Sequence, residues 1–339
     1  MRTLILSRPD RIGDVVISTS CLAPIREKFP EAKIFFVAAE RMRPLLENHP
    51  LLAGFIPVTA DLIKEFQRLD ASAIVHLHPN QDCYVAASRA GVPMRIGYPV
   101  RFLNRHLTHK IEDRRKEGLQ HEAAYNFDLL QALDVALPKQ LFANVHLPKV
   151  ARETLQHKLP WPVASTPFAV LHPSAHSKIA RWPAERFASM AESLKESFGF
   201  VPVFIGAGAN DFSVSGMSSH LNLSGQTDLG ELGWLLKHAR VLVTNDSGPA
   251  HLAAAVGCPV VSIFGRTAPM YGPARWRPLS ERAVIVIKPL ARKRFEGRDA
   301  HWRRCFAAIE LEEVKSAVRQ ALGAETEIKA FAQPCTPEK

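Results

Sequence analysis

Cysteine is scarce in this chain. Cys21, Cys83, Cys258, Cys305 and Cys335 are odd in number, widely scattered and form no CxxC pair. Neither a disulfide framework nor a zinc knuckle is indicated, and a reducing compartment is the simpler setting. Long hydrophobic runs are lacking too. The opening MRTLILSRPDRIGD has only four consecutive apolar or small residues before polar ones return, too few for a signal-peptide core. Nowhere does an apolar stretch approach the roughly 18 residues of a membrane-spanning helix. No short internal repeat is visible. Acids are the scarcer charge: 33 Asp and Glu stand against 43 Lys and Arg, a net charge of +10. Such a balance points to anionic partners, whether nucleotide phosphates, nucleic acid or an acidic membrane face, and composition does not choose among them.

What is present is enough to fill two cores. Hydrophobic residues make up 47% of 339 residues, and single cores rarely grow past roughly 250–300. Short apolar runs alternate with longer amphipathic segments, the pattern of strand–helix–strand units and a parallel sheet. Strands are expected at Thr3–Ser7, Lys33–Ala38, Gly54–Val58 and Ala73–Leu77, with helices at Asp14–Phe29, Met42–Asn48 and Leu62–Leu69. The stretch Pro93–Gly118 breaks this rhythm and carries Arg95, Arg101, Arg105, Lys110, Arg114, Arg115 and Lys116. It reads either as a solvated loop or as an electropositive surface for an anionic acceptor, for which Arg95, Arg101 and Arg105 are the candidates. A helix is expected over His121–Leu133.

Prolines at 148, 160, 162 and 167 mark a linker, which divides the chain into domains at 1–160 and 161–324, with 325–339 as a loose tail. The second series has strands at Phe168–His172, Val201–Ile205, Val241–Thr244 and Val260–Phe264. Its helices are Pro183–Phe198, Asp228–His238, Pro249–Val256 and Leu311–Leu322. The fold class is therefore α/β, with two doubly wound halves facing each other. Ligands of such sheets bind beyond the carboxyl ends of the strands.

Two strand-to-helix turns carry the chemistry. In the first, a strand ends in Thr244-Asn245-Asp246-Ser247-Gly248 and a helix starts at Pro249, whose missing N–H suits a first helical turn. Gly248 permits close approach of a ligand. The exposed N–H groups and the positive end of the helix dipole make a phosphate site, to which Ser247 and His251 can add. An ordinary turn with a capping Asp or Ser has about equal weight. In the second, Asp10-Arg11-Ile12-Gly13-Asp14 follows the first strand. Asp14 is either an N-cap or a general base aimed into the interdomain cleft.

Three weaker signals point elsewhere. Gly206-Ala207-Gly208 with Asp211 lacks the third glycine of a dinucleotide fingerprint, so a nicotinamide site is rejected. His76 and His78 alternate on one strand but have no clear third ligand, and a structural role outweighs a metal pair. Lys288–Arg304 mixes seven basic residues with Phe295 and Trp302, but no nucleic-acid module accompanies it. An acidic membrane, a phosphorylated glycolipid or plain solvent accounts for the same charge.

Taken in order, the segments RPDRIGDVVISTSCLAPIREKFPEAKI, RIGYP (Arg95–Pro99), HEAAYNFDLLQALD, LHPSAHSKIARWPAERFASMAESL and NLSGQTDLGELGWLLKHARVLVTNDSGPAHLAAAVGCPVVSIFG resemble the ADP-heptose:lipopolysaccharide heptosyltransferases, glycosyltransferase family 9. The resemblance runs from about residue 3 to residue 318. It implies two Rossmann-like domains in the GT-B arrangement, with the nucleotide on the C-terminal one. It also implies an inverting, metal-independent transfer of heptose from ADP-heptose to the inner core of a lipid-linked oligosaccharide, without a cofactor and without nucleic acid. The setting would be cytoplasmic, with peripheral contact to an anionic inner membrane. By position Asp14 matches the catalytic base, while Asp246, Ser247, Gly248, Pro249 and His251 match the donor loop. Relatives often carry a lysine two residues before the Trp-Pro pair. Here Ala180 occupies that place, so Lys178 or Arg181 would meet the donor phosphate, Lys178 being preferred. The cysteine cluster of several relatives is reduced to Cys305. Transfer from another nucleotide-sugar, or a catalytically silent binding protein of the same fold, is the alternative.

Overall fold

The computed structural model describes residues 1–174, 181–208 and 220–323. Lys178, Ala180, Asp211 and the expected tail at 325–339 lie outside them. The first half runs β1 (Thr3–Ser7), α1 (Ile12–Ser18), α2 (Leu22–Lys28), β2 (Lys33–Ala38), α3 (Arg43–Leu46), β3 (Gly54–Pro57), α4 (Leu62–Arg68), β4 (Ala73–His76), α5 (Gln81–Arg89), β5 (Met94–Gly97), β6 (His109–Lys110) and α6 (Glu122–Leu130). After α7 (Lys149–Gln156), the second half runs β7 (Phe168–His172), α8 (Ala184–Phe198), β8 (Val201–Phe204), β9 (Leu221–Asn222), α9 (Leu229–His238), β10 (Leu242–Asn245), α10 (Gly248–Ala255), β11 (Val260–Phe264), α11 (Pro273–Trp276), β12 (Ala283–Ile287), α12 (Arg298–Ala308) and α13 (Leu311–Leu322).

Among the described residues the strands form two six-stranded sheets, ordered β3-β2-β1-β4-β5-β6 and β12-β11-β10-β7-β8-β9, with every pairing parallel. Both are the doubly wound order read from opposite ends, so each has a switch point, between β1 and β4 and between β7 and β10. The central strands β1, β7 and β11 are buried along their whole length, as strands covered on both faces must be. This is the two-domain α/β architecture expected from the sequence.

Three apolar clusters fill the layers. One lies under α4 and α5 behind the first sheet, and another under α8 and α13 behind the second. The third is continuous through both inner faces, from Leu4 and Phe36 to Val170 and Leu242, by way of α1, α6, α9 and α10. The halves are thus joined by shared core as well as by chain.

Three local departures from expectation have physical reasons. The helix expected over Asp14–Phe29 breaks after Ser18 into a tight turn, Thr19–Cys21. There the hydroxyls of Ser18, Thr19 and Ser20 each donate to a carbonyl one turn back, to Asp14, Val16 and Ile17 at 2.7 Å, which bends a helix. The basic stretch Pro93–Gly118 contains β5 and β6, the edge of the first sheet. The proline-rich connection holds α7, which packs on α9: Trp234 Nε1 donates to the Pro148 carbonyl at 2.8 Å, and Leu147 covers Gly233. The expected boundary at 160/161 therefore follows a helix already seated on the second half.

Candidate active site

The N-termini of α1 and α10 meet at the cleft. Each begins directly after a central strand of its sheet, and each begins with a glycine-containing turn. A methyl group on Gly13 would stand 2.6 Å from His251 Cδ2, and one on Gly248 would be 3.3 Å from the Gly13 nitrogen. A side chain at Gly13 would force a shift, and one at Gly248 would be tight, so glycine at both positions suits this close approach. Two helix N-termini are thus brought together, and each favours an anion beside it.

Asp14 lies in the first turn of α1, where its carboxylate meets buried Arg8. Arg8 Nη2 is 2.6 Å from Asp14 Oδ1 and 2.9 Å from Glu122 Oε1, while its Nε is 3.0 Å from Asp10. Its Nη1 donates to the Leu77 carbonyl at 2.8 Å. Burial works against the charge on Arg8, but Asp10, Asp14 and Glu122 outweigh it and raise its pKa. Burial pushes Asp10 up to about 6, with Arg8 opposing. Asp14 is not the N-cap of α1: Arg11 holds that place, and no side chain caps the helix.

The facing turn is built with equal care. Asn245 accepts from the Trp182 backbone at 2.8 Å and donates to the Pro173 carbonyl at 2.7 Å, tying β10 to the loop after β7. Ser247 is the N-cap residue of α10, yet its hydroxyl makes no cap bond. It joins Thr244 Oγ1 at 2.9 Å and His172 Nδ1 at 3.1 Å. Asp246 pairs with Arg266 at 2.9 Å. Burial raises the Asp246 carboxyl to about 6 against the pull of Arg266, and nearby Asp14 adds to the rise. Burial likewise depresses His251 to about 3, so its imidazole is neutral, and its Nδ1 is buried without a partner among the described residues. Arg181 stands half-buried immediately before Trp182, whose indole is locked to the Ile309 carbonyl.

Arg95, Arg101, Arg105 and His76 lie apart from this meeting point, whereas His78 borders it. Arg95 is on β5, with its guanidinium on the carbonyls of His106 and Val92. Arg101 is exposed and stacks over Phe102, and Arg105 contacts His106. His76 is fully buried against the Tyr84 ring, and His78 is 3.5 Å from Asp10. Among the described residues no group of three or more His, Cys, Asp or Glu is placed to hold a metal. In the Lys288–Arg304 run, Arg304 and Arg292 fold onto Glu296, and Lys288 pairs with Glu313.

Sequence reasoning missed Arg8, Glu122, Arg275 and Arg266. Arg275, on α11, reaches across the cleft to Glu122 at 2.7 Å and donates to the Arg115 carbonyl at 2.9 Å. Burial works against the Glu122 carboxylate, but Arg8 and Arg275 outweigh it and hold it below its usual range. The one available signal was that Arg8 is a charged residue directly after a strand with an apolar centre.

Comparison with known proteins places this geometry. Residues 80–300 match the model of glycosyltransferase family 9 (heptosyltransferase). The chain is 27% identical over 315 residues to lipooligosaccharide heptosyltransferase 2 of Haemophilus ducreyi, covering 84% of this chain and 88% of the relative. Its fold superposes on ADP-heptose LPS heptosyltransferase II of E. coli with a TM-score of 0.76 at 22% identity, covering 94% and 99% of the two chains. It also superposes on the E. coli heptosyltransferase WaaC with ADP, at a TM-score of 0.69 and 15% identity, covering 94% and 99%. The two facing domains are the GT-B arrangement, and the chain belongs to glycosyltransferase family 9, the heptosyltransferases.

Proposed function

We propose that the protein transfers a heptose from ADP-heptose to the inner core of lipopolysaccharide, with inversion and with Asp14 as general base. The observation that carries this reading is the approach of Gly13 and Gly248, which brings a carboxylate opposite a helix N-terminus suited to a diphosphate. The names of the similar proteins, among them an ADP-heptose enzyme and one solved with ADP, support the donor.

The step is a single displacement. The acceptor hydroxyl oxygen forms a bond to the anomeric carbon as the bond from that carbon to the diphosphate breaks. The electron pair leaves with ADP, and the acceptor proton passes to Asp14. N–H groups at the start of α10, the Ser247 hydroxyl and positive charge receive the departing diphosphate. Lys178 and Arg181 are the proposed sources of that charge, and neutral His251 offers its ring to the donor. Arg8 holds the Asp14 carboxylate in place.

The acceptor is lipid-linked, and the surface offers a means of reaching it. Phe102 and Phe295 are 69% and 93% exposed, with Arg101 and Arg294 stacked over them. Aromatic tips beside cations suit an anionic membrane face, and no helix among the described residues is long and apolar enough to cross one. Arg101 and Arg105 are the proposed acceptor contacts in the same loop. Salt-sensitive retention on phosphatidylglycerol vesicles is expected, and its absence would remove the membrane from the account.

Calorimetric titration with ADP, UDP and GDP tests the donor. ADP is expected to bind at least about tenfold more tightly than the other two, a difference of about 1.4 kcal/mol. Equal or stronger binding of UDP or GDP would replace ADP-heptose with another nucleotide-sugar.

A further inference from the structure

Four charged side chains form an alternating row from the second domain to Asp14. Arg275 Nη2 lies 2.7 Å from Glu122 Oε2, Glu122 Oε1 lies 2.9 Å from Arg8 Nη2, and the same Nη2 lies 2.6 Å from Asp14 Oδ1. Every member is at most 13% exposed, and the Arg8–Glu122 pair is only 1% exposed on both sides. Only Arg275 belongs to the second domain. It enters the first between the Glu122 carboxylate, the Arg115 carbonyl and the Tyr125 ring, where its charge is removed from solvent.

We propose that Arg275 is a positioning residue for Asp14, acting through Glu122 and Arg8, so that the base is set only when the two domains are closed. The charge count gives the reason. Arg8 alone faces three carboxylates, Asp10, Asp14 and Glu122. Its Nη2 donates one hydrogen bond to Asp14 and one to Glu122, and a buried carboxylate with no second cation pulls the guanidinium toward itself. With Arg275 in place, Glu122 has a second cation on Oε2, and Arg8 Nη2 reaches Asp14 and Glu122 together. When the second domain moves away, Glu122 competes for Arg8, and the carboxylate of Asp14 loses its anchor. Closure and base placement are therefore one event, and a donor bound to an open cleft meets no oriented base.

This inference rests on Asp14 being the general base, and the test keeps the two claims apart. Turnover of ADP-heptose with heptose-deficient lipopolysaccharide is measured for Arg275→Met, Arg275→Lys, Glu122→Gln, Gln140→Ala and Asp14→Asn. Gln140 makes a different bridge between the domains, to Glu281 at 3.0 Å, and serves as the control for loss of an interdomain contact. Arg275→Met is expected to lower kcat roughly 10- to 100-fold, with KM for the donor changed less than about threefold. The acid limb of its kcat profile moves to higher pH, because the Glu122 charge is no longer compensated beside the base. Arg275→Lys, which keeps the charge but not the fork, recovers part of the loss and keeps the inference testable if the Met variant does not fold. Gln140→Ala stays at the wild-type rate. Wild-type kcat in Arg275→Met, an unmoved acid limb, or an equal loss in Gln140→Ala overturns the relay. High activity in Asp14→Asn would overturn the base itself, whatever the Arg275 variants do.

Discussion

Asp14 and Asp246 face each other across the cleft with different supports. Asp14 rests on a buried arginine, whereas Asp246 is held by the half-exposed Arg266 and resists ionisation. The two predictions at this scale differ accordingly. Asp14→Asn keeps shape but cannot take a proton, so turnover should fall by about 10²–10⁴-fold while ADP affinity stays within a few-fold; near-normal turnover would end the base assignment. For Asp246 the carboxyl is raised in the folded protein from 3.8 to about 6. The folded state therefore holds the proton more tightly than the unfolded one, and the group costs stability as pH rises from about 4 to about 6. Relative to Asp246→Asn, the wild type should lose roughly 2–3 kcal/mol across that window, read from urea denaturation at several pH values. A constant difference would show that Asp246 ionises as freely as in the unfolded chain. Both residues were legible because each lies near a glycine at the passage from a strand to a helix. Arg8, Glu122 and Arg275 were not, because their relation is tertiary: 114 and 153 residues separate Glu122 from its two partners.

At the scale of elements, strands that are buried throughout left the clearest mark. Thr3–Ser7, Phe168–His172 and Val260–Phe264 were expected with the bounds they have, since parallel strands covered on both faces read as continuous apolar runs, and so was Lys33–Ala38, which is exposed at Lys33. Asp228 opens α9 with a capping box to Glu231. The short strands β5, β6 and β9, the last two at sheet edges, passed unnoticed, being too brief to show a period. So did α12, whose eleven residues are polar on most sides because it lies over the surface. The crossing of α1 and α10 yields a prediction of its own. Gly13→Ala places a methyl against the buried His251 ring, so the helices must separate by several tenths of an ångström or more. Because misplacement by about 1 Å can cost 10²-fold in rate, kcat/KM should fall roughly 10- to 100-fold in steady-state kinetics. Full activity would mean that the two turns need not meet.

The whole molecule is two equivalent sheets arranged so that their switch points share one cleft, with a continuous apolar core behind it. Composition pointed to anionic partners, but many of the cations serve the fold. Arg304 and Arg292 gather around Glu296, Arg115 pairs with Asp113, and Arg275 crosses to Glu122. At the surface Arg101 and Arg294 flank the exposed Phe102 and Phe295, where the proposed lipid-linked acceptor would approach. The measurement that tests the account most directly is release of ADP from ADP-heptose by the purified protein, with and without heptose-deficient lipopolysaccharide. The account predicts release that depends on the acceptor and rises with it by at least about 100-fold, within the range of transfer assisted by a positioned base. No release, or release at the same rate without acceptor, would contradict it.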